Sequence, residues 1–344
     1  QLFAEFLYQS DSQAAALRAL GHTAWTYVPD WVPLQQHWAR ELGLWLPPYW
    51  KQIPAIVDRF WRLATRASRR DHWEIRVLSA QLCACRPDAV QVYSGVHMTP
   101  DMLRALRPLA RKWICLWSSP LNEGYPYAAY DRVLTTAAKI QEEFLRRGHD
   151  CRQVQHAFDS RIPGRLETNA PRQGVVFVGS LLTLHRGRRE LLEQVARRFP
   201  LEIYGPGYES LPADSPLRKA WRGEALFGLD MYRRYACAQI ALHVPADIGR
   251  PHAGAKRLFE VTGAGALLLA EDQPGLADCF KIGREIDMFC NAVEAVEKID
   301  YYLDNEPART AVATAGRQRT LREHVYEVRM KDWLEAVADS RPAE

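Results

Sequence analysis

Glu260 is the acid whose surroundings most suggest chemistry. It lies in the run 249–269, where a Gly/Pro loop holding Gly249, Pro251, His252 and Gly254 leads into a short helix with Lys256 and Arg257. A Gly263-Ala-Gly265 turn and an apolar strand follow. A carboxylate on a buried helix needs a partner, and in a nucleotide site it can accept two hydrogen bonds from a ribose diol. The plain alternative is a surface acid paired with Lys256, four residues earlier. Gly179 and Ser180 form a second candidate, between the apolar run 174–178 and a helix expected over 188–199. Glycine lets backbone approach a ligand, and free N–H groups at a helix start favour anions. His185, Arg186, Arg188 and Arg189 at the same turn could add charge-assisted hydrogen bonds to a diphosphate. An ordinary turn before a solvated basic helix fits that pattern too.

Two further residues suit proton transfer. His97 follows an expected strand at 89–93, and Glu123 lies in the loop after another at 113–117. Loops at strand ends aim side chains toward ligands, so either could act as a base on a hydroxyl, and both stay open. Trp31, Trp38, Trp45, Trp50, Trp61 and Trp73 crowd one region beside the basic residues Arg66, Arg69 and Arg70. Such aromatics stack on sugars, sit at a membrane interface or simply cover a core.

The elements that must position these groups alternate strand and helix. Strands are expected at 174–179, 201–204, 240–244, 266–270 and 286–289, with helices at 188–199, 228–238, 256–263, 291–304 and 306–319. That alternation gives a parallel, doubly wound sheet. The first half repeats it less cleanly: a helix at 14–20, strands at 23–28, 89–93, 113–117 and 132–135, and helices at 100–109 and 138–147. A strand is expected before residue 1 to feed the opening helix. Prolines and glycines mark 158–174 as a connecting stretch. The expected organisation is a first Rossmann-like domain at 1–160, a linker at 161–173, a second at 174–323, and a helix at 324–344 returning to the first. Ligands would sit at the strand carboxyl ends, where the two sheets face a cleft.

Composition removes other classes. At 344 residues, 47% hydrophobic and 25% charged, the chain suits a globular protein with two cores. No apolar run is long enough for a membrane span, and the start lacks the features of a signal peptide. A net charge of +4 is too mild for a dedicated nucleic-acid binder. Seven scattered cysteines lack zinc-site spacing and read as reduced thiols of a cytoplasmic protein, with a membrane contact at its inner face through residues 31–73 as the further expectation.

Several motifs recur in one order. Phe177-Val-Gly-Ser-Leu181, His185 with its arginines, Ile203-Tyr-Gly-Pro-Gly207, Gly228-Leu-Asp-Met-Tyr232, and Arg257-Leu-Phe-Glu260 with Gly263-Ala-Gly265 together resemble the group-1-like glycosyltransferase C-terminal domain of spore-maturation (CgeB-like) proteins. The likeness spans about residues 172–325, and His156-Ala-Phe-Asp159 resembles the preceding domain. It implies an α/β fold of two Rossmann-like domains facing a cleft (GT-B), and transfer of a sugar from a nucleoside diphosphate sugar to a glycan, lipid-linked or glycoprotein hydroxyl. By the same resemblance Gly179, Ser180, His185, Arg186, Arg189, Gly254, Lys256 and Arg257 would meet the diphosphate. Tyr204, Gly205, Gly207, Trp221, Arg222 and Glu260 would meet the nucleoside. The retaining branch carries two acids with seven residues between them; the second falls on Glu260, and here the first position is His252. With no Asp-x-Asp pair, basic side chains and backbone N–H groups would stabilise the leaving group without metal or other cofactor. A sugar-nucleotide epimerase or hydrolase, or a non-catalytic glycan-binding module, are the alternatives.

Overall fold

A computed structural model of the chain describes residues 5–6, 11–28, 31–44, 69–94, 96, 98–166, 171–182, 186–245 and 256–340. They form two compact units, and neither is one continuous stretch. The larger joins Gln1–Trp25 to Gln155–Lys331, and the smaller joins Thr26–Val154 to Asp332–Glu344. The sequence divides the chain at 160/161; the structure divides it at 154/155 and groups the first 25 residues with the second half.

The larger unit is a six-stranded sheet: β5 (Val175–Val178), β6 (Leu201–Tyr204), β7 (Trp221–Gly223), β8 (Ile240–His243), β9 (Leu267–Glu271) and β10 (Asp287–Phe289). Its spatial order is β10-β9-β8-β5-β6-β7, and every pair is parallel. Parallel strands covered on both faces need apolar residues at consecutive positions. β5 shows this directly: Val175 and Phe177 enter one core with Leu192, Ile203 and Ile299, while Val176 and Val178 enter the other with Tyr235, Phe259 and Leu268. Phe6, far away in sequence, joins the second core, and Arg161 lies over its ring at 5.1 Å. Arg161 also pairs with Asp11 (2.8 Å) and Asp159 (2.6 Å), which ties the chain start to the segment after residue 155.

That segment is pinned again from the other end. Phe158 N–H donates to His324 O (2.8 Å) and Tyr326 N–H to Phe158 O (3.1 Å). The His324 ring is 2% exposed and packs on Phe259 and Phe280, with centroids at 4.7 and 5.1 Å. Arg329 faces its Nδ1, so Nε2 donates to Cys279 O (2.9 Å). Burial, with Arg329 adding to it, pushes this histidine down to about 4, so the ring is neutral.

The smaller unit has a four-stranded parallel sheet of β1 (Ala89–Tyr93), β2 (Lys112–Leu116), β3 (Arg132–Thr135) and β4 (Cys151–Gln153), lying in chain order. Trp113, Cys115, Val133 and Cys151 face a core with Met102, Leu106, Tyr127 and Phe144. Gln91, Lys112 and Arg132 meet the last turns of helix Tyr326–Ala338 and the residues after it. Trp333 donates to Gln91, Arg132 to Ala336 O (2.6 Å), and Lys112 to Ser340 Oγ (2.9 Å).

Two sequence expectations are corrected here. Residues 22–28 form no strand: none of them is buried, so a strand there would have no face to cover. Conversely β4 and β7, three residues each, are too short to show any periodicity.

Candidate functional site

In the larger unit the strand order reverses between β5 and β8, and ligands of open α/β sheets bind outside the carboxyl ends at such a reversal. The turns after β5, β6 and β7 meet there. Gly179 N–H donates to Tyr204 O (3.0 Å), Leu181 N–H to Pro206 O (2.7 Å), and Gly205 N–H to Gly223 O (3.0 Å). Glycine is required for a reason other than ligand approach. A Cβ at Gly205 would lie 2.1 Å from Gly179 O, and one at Gly207, where φ is +111°, would lie 2.6 Å from the Leu181 carbonyl carbon. The two turns are stacked backbone on backbone. Trp221 continues the layer, donating from Nε1 to Gly205 O (3.0 Å) and packing on Tyr208 at 4.7 Å between centroids.

Glu260 is 7% exposed, in the first turn of helix Arg257–Ala264. Arg257 stands 3.0 Å from its Oε2 and Lys256 3.7 Å from its Oε1, and the Tyr232 hydroxyl donates to Oε1 at 3.4 Å. The expected Lys256 pair is therefore present, but within a buried cluster. A carboxylate offers about four lone-pair sites, so these contacts leave acceptor capacity for a diol. His156 faces the same cluster: burial, then Lys256, push its ring down to about 4 against the opposing pull of Glu260.

Arg188, 6% exposed, stitches the reversal together. Its Nε and Nη2 donate to Val244 O (3.1 and 2.8 Å) and its Nη1 to Ser180 O (2.9 Å), joining the chain beyond β8 to the chain beyond β5. Both Arg188 and Arg257 act on His243, the last residue of β8 and one that no motif in the sequence singles out. It reads there as one position of an apolar strand.

Other expected residues are placed as follows. Ser180 Oγ accepts from Leu182 N–H (3.2 Å), closing a small turn. Arg189 spends its donors on Leu181 O and on the carbonyl and hydroxyl of Ser210, binding two loops rather than reaching outward. The Tyr204 hydroxyl donates to Glu202 (3.1 Å), and exposed Arg222 donates to Lys219 O (2.7 Å). His97, His185, His252, Gly254 and the Arg186 side chain lie outside the described residues, as do Trp45, Trp50, Trp61 and the Trp73 side chain. Trp31 is exposed and Trp38 half-buried.

Glu123 belongs to the smaller unit. Its side chain is 85% exposed and pairs with Arg147 at 3.4 Å. Arg147 caps the helix Ala138–Arg146 that returns the chain to the start of β4, so Glu123 lies near the amino edge of the sheet, not at its carboxyl ends. The loop that carries it, between β2 and β3, folds back over Tyr125 and Tyr127 to line a recess of about 240 Å³ with Asn122, Arg147 and His149. Among the described residues, no three His, Cys, Asp or Glu side chains gather as a metal site, and no helix is long and apolar enough to cross a membrane.

Residues 186–335 match a family model described as glycosyl transferase-like. Among solved structures, a glycosyltransferase from Rickettsia africae aligns with 95% of this chain and 93% of its own, at 14% identity and a TM-score of 0.60. Alr3699/HepE from Anabaena, in complex with UDP and glucose, aligns with 76% and 81%, at 11% identity and a TM-score of 0.52. Sucrose-phosphate synthase from Thermosynechococcus elongatus aligns with 77% of each chain, at 14% identity and a TM-score of 0.50. No curated protein matches the chain. The fold is that of the GT-B glycosyltransferases, with a glycosyl transferase-like domain over the matched residues.

Proposed function

We propose that this chain is a glycosyltransferase that moves a sugar from a nucleoside diphosphate sugar to a hydroxyl of a glycan or glycolipid acceptor. The observation that carries this is Glu260, buried beside Lys256 and Arg257 in the helix after the strand reversal, within the segment that matches the glycosyl transferase-like model. In this scheme Glu260 accepts from the ribose diol, and Trp221 with the turn Gly205–Gly207 flanks the base. Lys256 and Arg257 offset diphosphate charge, and departure needs no metal because these cations and backbone N–H groups supply the stabilisation. The Gly179 and Leu181 N–H groups are already bonded within the protein, so Ser180 N–H and the basic side chains carry more of that task. Retention of configuration and the narrower likeness to spore-maturation proteins belong to the same proposal. The acceptor base is His97 in preference to Glu123, whose pairing with Arg147 holds it near the sheet's amino edge.

Thermal-shift screening with UDP, GDP, dTDP, ADP and CMP tests the donor site, because a ligand that binds the folded state raises apparent stability. UDP is the first probe, since a structural neighbour was solved with it. Glu260→Ala should weaken nucleoside diphosphate binding by about 1–3 kcal/mol, the cost of losing hydrogen bonds to a charged group. Deoxyribose analogues should bind wild type and variant alike. No shift with any nucleotide would sink the donor site, and unchanged affinity in Glu260→Ala would remove the ribose contact.

A further inference from the structure

His243 ends β8 at the strand reversal, and alternation puts its ring on the face of Ala241, toward helices Gly228–Ala236 and Arg257–Ala264. The residue is 7% exposed, yet its Nε2 has no hydrogen-bond partner among the described residues. Native structures keep few such buried nitrogens, and those that persist call for a ligand, an ion or a functional role. Charged groups act on the ring from two helices: Arg257 from the first turn of its own, and Arg188 from Arg186–Arg198. Tyr235 of helix Gly228–Ala236 lies close by, with Arg257 over its ring at 5.7 Å. Among the described residues no carboxylate acts on His243, and Glu260 is already shared by Arg257 and Lys256. The place is thus buried, doubly positive and, among the described residues, short of an acceptor, and one of its two arginines, Arg188, holds the turn at Ser180.

We propose that His243 belongs to the donor diphosphate site and binds the anion as an imidazolium, taking up one proton from solution as the diphosphate arrives and returning it when the diphosphate leaves. The proposal rests on the donor-site function above and adds a residue and a proton to it. In the empty site, burial first, then Arg257 and Arg188, push the ring down to about 3, so it is neutral at every physiological pH. One opposite charge within hydrogen-bond reach moves a pKa by roughly one to three pH units, and a diphosphate brings more than one. The bound ring then titrates near the pH of the cell, where the empty one does not. Donor affinity must therefore rise as pH falls toward about 6, because the bound form holds the extra proton.

Calorimetric titration of the full chain with UDP and with inorganic pyrophosphate, at about pH 6 in two buffers of different ionisation enthalpy, counts the protons. The expected result is uptake of about one-half to one proton per ligand. His243→Gln keeps a hydrogen-bonding group but cannot charge. It should abolish the uptake, flatten the pH dependence, and weaken UDP by about 5- to 50-fold at that pH. His156→Gln distinguishes the half-buried histidine that faces Glu260 and should keep the uptake. Wild type that binds without uptake, uptake that survives His243→Gln, or uptake lost only in His156→Gln overturns the role of His243 and leaves the donor site standing. Folded wild type that binds neither UDP, GDP, ADP nor pyrophosphate overturns both. If His243→Gln does not fold, nitrogen-15 histidine spectra of wild type during UDP addition read the same proton, and a ring that stays neutral at saturation refutes it.

Discussion

In the larger unit the chain leaves β7, returns to the far side of β5 and carries on through β8 to β10, whereas the described strands of the smaller unit, β1 to β4, lie in the order they are made. At the reversal, where turns from β5 and β8 diverge, Glu260 sits among cations and His243 Nε2 has no partner among the described residues. The smaller sheet buries polar groups too, but satisfies them internally. Asp131 takes Trp113 N–H (2.6 Å) and pairs with Arg107, and the Tyr125 and Tyr130 hydroxyls bond each other at 3.0 Å. Burial pushes Cys115 and Cys151 up to about 12 and raises both tyrosines further. These groups stay neutral across ordinary pH, and the histidines pushed down in the larger unit stay neutral until pH falls toward 4.

The sharpest way to break this contrast is steric. Gly207→Ala forces a Cβ into the Leu181 backbone at a positive φ, and should cost the larger unit about 2–4 kcal/mol. Hydrogen exchange should show faster opening in β5 and β6 and unchanged protection in β2 and β3. Equal loss in both units would mean they do not unfold separately.

Acid should act next in size. His156 and His324 titrate near 4 when folded and His243 near 3, against about 6.5 unfolded. The folded state therefore binds fewer protons, and stability present above pH 6.5 is lost as pH falls toward 4. Melting followed by exchange at pH 7.5, 5.5 and 4.5 should show the larger unit weakening first, since among the described residues of the smaller only His149 is pushed down, by partial burial and Arg147. Saturating UDP should blunt the His243 share. A smaller unit that fails earlier would reverse the assignment.

The smallest effect belongs to Glu123→Gln. An exposed carboxylate paired only with Arg147 near the sheet's amino edge should leave kcat within about twofold, since exposed pairs contribute little. A fall of a hundredfold would return Glu123 to the reaction.

Much of this site is legible in the residues alone, though for mixed reasons. Gly179, Gly205 and Gly207 stand out as turn glycines; turn-on-turn packing accounts for Gly205 and Gly207, while a Cβ at Gly179 would meet the Phe177 ring. Glu260 stands out because an acid in an otherwise apolar helix requires partners, and it has them. Glu123 misleads because position after a strand says nothing about how far its loop folds back. His243 is invisible for the opposite reason: a strand pattern records burial, not which buried atom lacks a bond. The attachment of residues 5–25 to the larger unit is equally hidden, since Phe6 and Asp11 find partners about 150 residues away.

That attachment sets a timetable for synthesis. The larger unit needs both Gln1–Trp25 and Gln155–Lys331, and the smaller needs the stretch after Asp332. At about 5–20 residues per second, the first segment emerges from the ribosome roughly 15–60 s before its last partner has been made. For that interval Phe6 is an apolar side chain with no core, and helix Ser12–Ala19 an isolated piece too short to hold itself together. During synthesis such a chain offers Phe6 and helix Ser12–Ala19 to chaperones until Gln155–Lys331 has followed, and the larger unit is incomplete until then.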